Sequence, residues 1–248
     1  MLVESAFYKL SDYFQSVESP GELYESQLSF IFAVAIFQEF QARGFSHLLP
    51  YIQVNRPYPR KQQRKADIFV KIPKSKLPPE ILHRWSASGV CEENWIEVKF
   101  FSWAERGEKP GSKPRNLGEV LEDLLRLKFY VSEGGKYLLL VFNRKPQYYL
   151  PRRNYLNYLL KPGRDLVKID FSEEPKTVVD SICDENLRNM VDGKTIEFDL
   201  QKFSIEPMAV KGLLTSPAFE PLKRSMKSGT AVSEPEYFFY LLRILEFY

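Results

Sequence analysis

Asn94-Trp95-Ile96-Glu97-Val98-Lys99-Phe100-Phe101 decides how this chain is read. It is short and dense in β-branched and aromatic residues, so it reads as a strand. Alternation puts Ile96, Val98 and Phe100 on one face and Trp95, Glu97, Lys99 and Phe101 on the other. A carboxylate and an ammonium therefore lie between two large aromatic rings. Charge in such surroundings is costly unless it is paired or bound to a metal. The acid-x-Lys spacing recurs at Glu174/Lys176 and Asp192/Lys194, but there Pro175 or Gly193 intervenes in turn-like sequence. Context, not spacing, singles out the first.

Upstream, Ala66-Asp67-Ile68-Phe69-Val70-Lys71-Ile72 reads as a second strand ended by Pro73. Asp67 points away from the face that holds Ala66, Ile68 and Val70. If the two strands are neighbours, Asp67 lies across from Glu97 on one face of the sheet. A further strand is expected over residues 51–55, followed by a basic connection over residues 56–65. Eight basic residues and one acid, Asp67, fall between Arg56 and Lys76. Such a patch is either the footprint of a polyanion or a solvated loop. Residues 22–43 carry the strongest helix signal, closed by Gly44 as a C-cap. Their centre, residues 30–37, is apolar all round, which predicts burial on most sides. Glu25 shares a stripe with Leu28, Phe32 and Ala35, so it points toward the protein; it also suits the positive end of a helix dipole. A short amphipathic helix is expected around Phe7, Leu10 and Phe14.

Downstream, residues 102–116 are rich in Gly, Pro and Lys and read as a loop. Residues 117–131 form a clear amphipathic helix, closed by Gly134-Gly135, and residues 137–142 form a buried strand. A helix between the last two of these strands fits a crossover connection. The order α-β-β-β-α-β predicts an α/β fold, a mixed sheet flanked by helices, over residues 1–146. Residues 147–248 are expected to form a C-terminal α/β extension packed on that core, or part of one single domain. Within it we expect a helix near 154–160, strands over 166–171 and 195–203, and a helix over 178–191. Residues 205–235 are expected to be irregular, and 237–247 a closing helix.

Hydrophobic content of 44% and charged content of 27% are those of an ordinary globular protein. Two cysteines make no disulfide framework, which favours a reducing compartment. The chain does not open with the basic-then-apolar order of a leader, and its longest apolar run is too short to span a bilayer. A cytoplasmic protein that does not enter membranes is expected. His47 and His83 stand in no metal-ligand spacing, and neither Gly-rich phosphate loop is present.

Glu25 on the first long helix, Asp67 on one strand and Glu97-Val98-Lys99 on the next make an order that resembles the PD-(D/E)xK nuclease superfamily. The match covers roughly residues 20–145, and the proline that precedes the aspartate in that family is replaced by Lys65-Ala66. The resemblance implies a restriction-endonuclease-like core and a metal-dependent endonuclease hydrolysing phosphodiester bonds, with DNA the expected substrate, in restriction, defence or repair. It implies that Asp67, Glu97 and the Val98 carbonyl hold Mg²⁺, with Mn²⁺ as a substitute. Lys99 would orient or help deprotonate the attacking water, with Glu25 assisting. Such an assignment agrees with the oxygen-rich, partly hydrated coordination magnesium prefers. Arg60, Lys61, Arg64 and Lys65 lead into the Asp67 strand and are candidate phosphate contacts, as are Arg126 and Lys128 on the second helix. Cutting both strands of a duplex would call for a homodimer. The alternatives are a catalytically inactive nucleic-acid-binding or structural protein of the same fold, and a protein-interaction domain with a solvated basic loop.

Overall fold

A computed structural model describes residues 2–16, 24–44, 51–72, 91–102, 112–209 and 236–245, together with residues 75 and 79. Helices α1 (Leu2–Ser16) and α2 (Glu25–Ala42) precede strands β1 (Ile52–Tyr58), β2 (Lys61–Lys71) and β3 (Glu93–Phe101). Helix α3 (Lys113–Tyr130) leads to β4 (Gly135–Phe142). A 3-10 turn (Pro146–Tyr148), α4 (Leu156–Leu160), β5 (Gly163–Asp170), α5 (Lys176–Val179), α6 (Glu185–Val191), β6 (Thr195–Ala209) and β7 (Glu236–Leu245) follow. The seven strands of the described residues form one sheet, ordered β1-β2-β3-β4-β7-β6-β5. Its one parallel pair is β3 and β4; every other neighbouring pair is antiparallel. The fold is thus α/β with a mostly antiparallel open sheet between helices.

The alternation read in residues 94–101 sorts the core into two layers. Ile96 and Val98 join Ile68, Val70, Leu139, Val141, Phe239 and Leu241 under α1 and α2. Trp95 and Phe101 join Phe69, Leu138, Leu140 and Phe142 under α3 and the helices after it. Strand β4 is buried along its whole length because helices cover both faces. The connection that reverses from α3 into β4 needs glycine. Gly134 has φ +111°, and a Cβ there would stand 2.5 Å from the Glu93 carbonyl oxygen.

Helix α2 ends as its sequence implies, with Gly44 at φ +82° donating its N–H to the Gln41 carbonyl. Its burial is narrower than expected. Leu28, Phe32, Ala35, Ile36 and Phe40 face the sheet and α1, but Phe30 is 66% exposed. Residues 56–65 are not a loop. They complete β1 and begin β2, with a two-residue reversal at Pro59-Arg60. Their polar character reflects the position of β1 at the sheet edge, where charged side chains suit the exposed rim.

Two later expectations also change. Residues 178–191 hold the end of α5 and all of α6, separated by residues 180–184, where the Asp184 carboxylate accepts the Asn186 and Leu187 N–H groups as an N-cap of α6. A closing helix is expected over residues 237–247; within the described residues, 236–245 form strand β7 instead, and 246–247 lie outside them. Tyr237, Phe239 and Leu241 serve one layer while Phe238, Leu242 and Ile244 serve the other, so a central strand reads as apolar throughout. Strands β5, β6 and β7 thus extend the same sheet from within residues 147–248. Residues 80–85 lie outside the described residues, as do 103–111 of the loop after β3 and 210–235. No helix among the described residues is long and apolar enough to cross a membrane.

Candidate active site

Strands β2 and β3 pair from Lys71↔Glu93 to Ile68↔Ile96. The ladder stops one residue short of Asp67 and Glu97, which the same register sets opposite each other. Beyond that point the β3 amides facing β2 need other partners, because a buried unpaired N–H is costly. Carboxylates supply them. Asp67 Oδ2 accepts the Val98 N–H at 2.7 Å, and Glu25 Oε2 accepts the Phe100 N–H at 3.2 Å. The divergence of β2 thus brings an acid from β2 and an acid from the first turn of α2 to one edge of β3.

Lys99 emerges between them. Its ammonium lies 3.5 Å from Glu25 Oε2 and 3.6 Å from Asp123 Oδ2, an acid contributed by α3. Glu97, 3% exposed, receives a hydrogen bond from the Tyr58 hydroxyl and has the Arg126 guanidinium 4.0 Å away. Arg126 also pairs with Asp123 Oδ1 at 2.9 Å and with Glu122. Glu122 in turn accepts the Cys183 N–H at 2.6 Å. Tyr58 reaches this site from the irregular end of β1 and stacks on Trp95, ring centroids 5.6 Å apart.

Five carboxylates therefore surround two cations, and burial raises the proton affinity of three of them, Glu97, Asp123 and Glu25. Burial pushes Glu97 well above the usual carboxylate range; Asp123 and Asp67 push it further, against the Tyr58 hydrogen bond and Arg126. Burial likewise raises Asp123 to about 7, although Lys99 and Arg126 oppose the shift. Glu25 is raised by burial, with Lys99 opposing. For Lys99, burial alone favours the neutral amine, but Asp123, Glu25, Glu119 and Asp67 outweigh it and hold the ammonium charged.

Among the described residues no group of three or more His, Cys, Asp or Glu side chains is arranged to hold a metal ion. The donor chemistry nonetheless suits a hard divalent cation, whose preferred ligands are carboxylate and carbonyl oxygens. Asp123 Oδ2 is buried with no hydrogen-bond partner among the described residues, and the cluster carries more negative than positive charge. A divalent ion would relieve both.

Of the expected site residues, Glu25, Asp67, Glu97, Val98 and Lys99 come together. Arg126 stands inside the cluster, bound to acids, and is not presented outward as a phosphate contact. Lys128 lies over the Phe198 ring, 5.5 Å from its centroid. Arg64 pairs with Asp184 at 3.3 Å, and Arg60 donates to the Phe129 carbonyl at 3.4 Å. Lys61 and Lys65 have no ion pair among the described residues. Asp123 and Tyr58 were missed. The clue to Asp123 lies in the α3 stripe, where it falls between Val120 and Leu127 at the i+3 and i−4 positions of an otherwise apolar face. Tyr58 offers no such clue.

Fold and site together define an α/β protein with a buried acid-rich cluster at the point where two antiparallel strands part. Comparison with protein-family models, with curated proteins and with solved structures yields no match.

Proposed function

We propose that this chain is a metal-dependent nuclease that hydrolyses phosphodiester bonds, with DNA as the expected substrate. The observation that carries the reading is the convergence of Asp67, Glu97 and Asp123 from β2, β3 and α3 beside the Lys99 ammonium. The element order supports it: a helix, three antiparallel strands, then a helix leading to a strand parallel to the third, as a restriction-endonuclease-like core requires.

In this reading Asp67, Glu97 and the Val98 carbonyl hold Mg²⁺ or Mn²⁺, and Asp123 adds a further carboxylate. The ion supplies Lewis-acid stabilisation of phosphoryl charge and a lowered pKa for water. Lys99, kept charged by its acids, orients the attacking water by donating hydrogen bonds and is not itself the base. Glu25 fixes the ammonium from the opposite helix. Arg126 holds Glu97 and Asp123 in place and offsets part of their repulsion.

A second reading is favoured by one set of contacts. Asp67 and Glu25 satisfy β3 amides, and Arg126 already neutralises two acids, so the cluster also works as a buried structural network in a protein that binds nucleic acid without cutting it. Incubation of single- and double-stranded DNA and RNA with and without magnesium separates the two. The nuclease reading expects magnesium-dependent cleavage by the native chain, lost in Glu97→Ala and Lys99→Ala variants that retain the native circular-dichroism spectrum. Undiminished cleavage by both variants, or none by the native chain, would refute it.

A further inference from the structure

The strand ends carry a second feature on the same face of the sheet as the acids. After β4 the chain runs through the 3-10 turn and α4, and these segments with Tyr240 of β7 enclose a cavity of about 860 Å³. That is the size range of pockets that take drug-sized ligands. Among the described residues lining it are three cations, Arg152, Arg153 and Lys161, and no acid. Arg153 is 3.5 Å from Glu174; Arg152 and Lys161 are exposed and have no ion pair among the described residues. Tyr158, in the wall, is 58% exposed, and Tyr148, at the end of the turn, is 53% exposed. A groove combining free cations with open aromatic faces has the chemistry of a single-strand platform: phosphates meet the cations, and unpaired bases stack on the rings.

Its placement relative to the cluster is fixed by direct contacts. Lys113 Nζ donates to the Gln147 carbonyl at 2.7 Å and Asn116 Nδ2 to the Tyr149 carbonyl at 3.0 Å, so the first turns of α3 hold the segment that shapes the cavity. Asp123 lies seven residues beyond Asn116, two turns on along the same buried face and about 10 Å away by helical rise. On the strand side, Phe101, two residues beyond Lys99, stacks on Phe142 with centroids 5.0 Å apart and packs on Tyr149 at 6.0 Å. Helix and strand thus lead from the acids to the cavity without a change of face.

We infer that the cavity between α4, the turn after β4 and Tyr240 binds an unpaired nucleic-acid strand, holding its phosphates on Arg152 and Lys161 and a base on Tyr158, on the same face of the sheet as the acid cluster. The inference rests on the nuclease reading for the identity of the strand, and it gives that reading an unpaired end or gap as its preferred substrate.

The test is fluorescence anisotropy with a labelled 12-nucleotide DNA strand, its RNA equivalent and the DNA duplex, in EDTA so that nothing is cut, over a series of salt concentrations. The native chain is expected to bind single strands more tightly than duplex. Arg152→Gln with Lys161→Gln should weaken binding at least tenfold at about 0.1 M salt and reduce the log–log salt slope by about 1.4, at 0.7 per lost phosphate contact. Tyr158→Ala should weaken it about 5- to 100-fold with the slope unchanged. Lys71→Gln, paired with Glu93 at the far end of β3, should change it less than twofold. Unaltered melting temperatures are expected for all three, since Arg152, Tyr158 and Lys161 are exposed and the Lys71 side chain is half-exposed. Native affinity in the Arg152/Lys161 variant, or tighter binding of duplex than of single strands, overturns the inference. Cleavage is scored separately in magnesium. Cutting with undiminished strand binding by the variant sinks the cavity and leaves the nuclease standing. Loss of strand binding in a chain that never cuts does the reverse.

Discussion

Replacing Asp123 by asparagine keeps the shape of the side chain and removes a charge that its surroundings oppose. In the folded chain this carboxyl titrates at about 7, against an ordinary value of 3.8, because burial outweighs the pull of Lys99 and Arg126. The sign follows from proton counting. Between these two pH values the unfolded chain has released the proton while the folded chain retains it, so stability falls as pH rises. At about 1.4 kcal/mol per pH unit, the ionised carboxylate costs the native state roughly 4 kcal/mol above pH 7 and nothing below the unfolded value. Lys99 and Arg126 keep Glu25 and Glu122 as partners in the variant, and Glu97 loses a repulsive neighbour. Asp123→Asn is therefore expected to be more stable than the native chain by about 2–4 kcal/mol at pH 8, after allowance for poorer contacts between the amide and the two cations. The gain should shrink steadily toward pH 4. Urea unfolding followed by circular dichroism at pH 4.5, 6, 7 and 8, without divalent ions, measures it. A difference that does not vary with pH, or a variant less stable than the native chain at pH 8, would refute the reasoning.

Tyr58→Phe removes the hydroxyl that donates to buried Glu97 and should cost about 1–3 kcal/mol. That hydrogen bond favours the charged carboxylate, so its removal should raise the Glu97 pKa further, while urea melts at a single pH measure the loss. Gly118→Ala places a Cβ 2.5 Å from the Ser181 Cβ and 2.6 Å from the Val178 carbonyl, where α3 packs on α5. The melting temperature should fall, with a loss of about 1–3 kcal/mol, since backbone on both sides must move. If the chain cuts DNA, its rate at magnesium below saturation should rise between pH 6 and 8 as Asp123 loses its proton; a rate that falls over this range counts against a role for that carboxylate.

The acid cluster was more legible in the sequence than the frame around it. Glu97 and Lys99 stand out because charge in an apolar strand is expensive, and Asp67 follows from alternation and register. Asp123 was hidden because acids are common on helices and only its place within an apolar stripe marks it. The β1–β2 hairpin was obscured by the arginines, lysines and glutamines that an edge strand tolerates. Residues 236–245 misled for the opposite reason: a strand covered on both faces loses its alternation, and its partners, β4 and β6, are set by contacts far along the chain. Neither hydrophobic period nor length separates such a strand from a buried helix.

The most direct measurement is a calorimetric titration of Mn²⁺ into the native chain at pH 8, alongside Asp67→Asn and Glu97→Gln. A cation-binding cluster predicts saturable binding by the native chain, with protons released in increasing number as the pH is lowered toward 7, and loss of that binding in both variants. No saturable heat from the native chain, or the same binding curve from all three proteins, would contradict it.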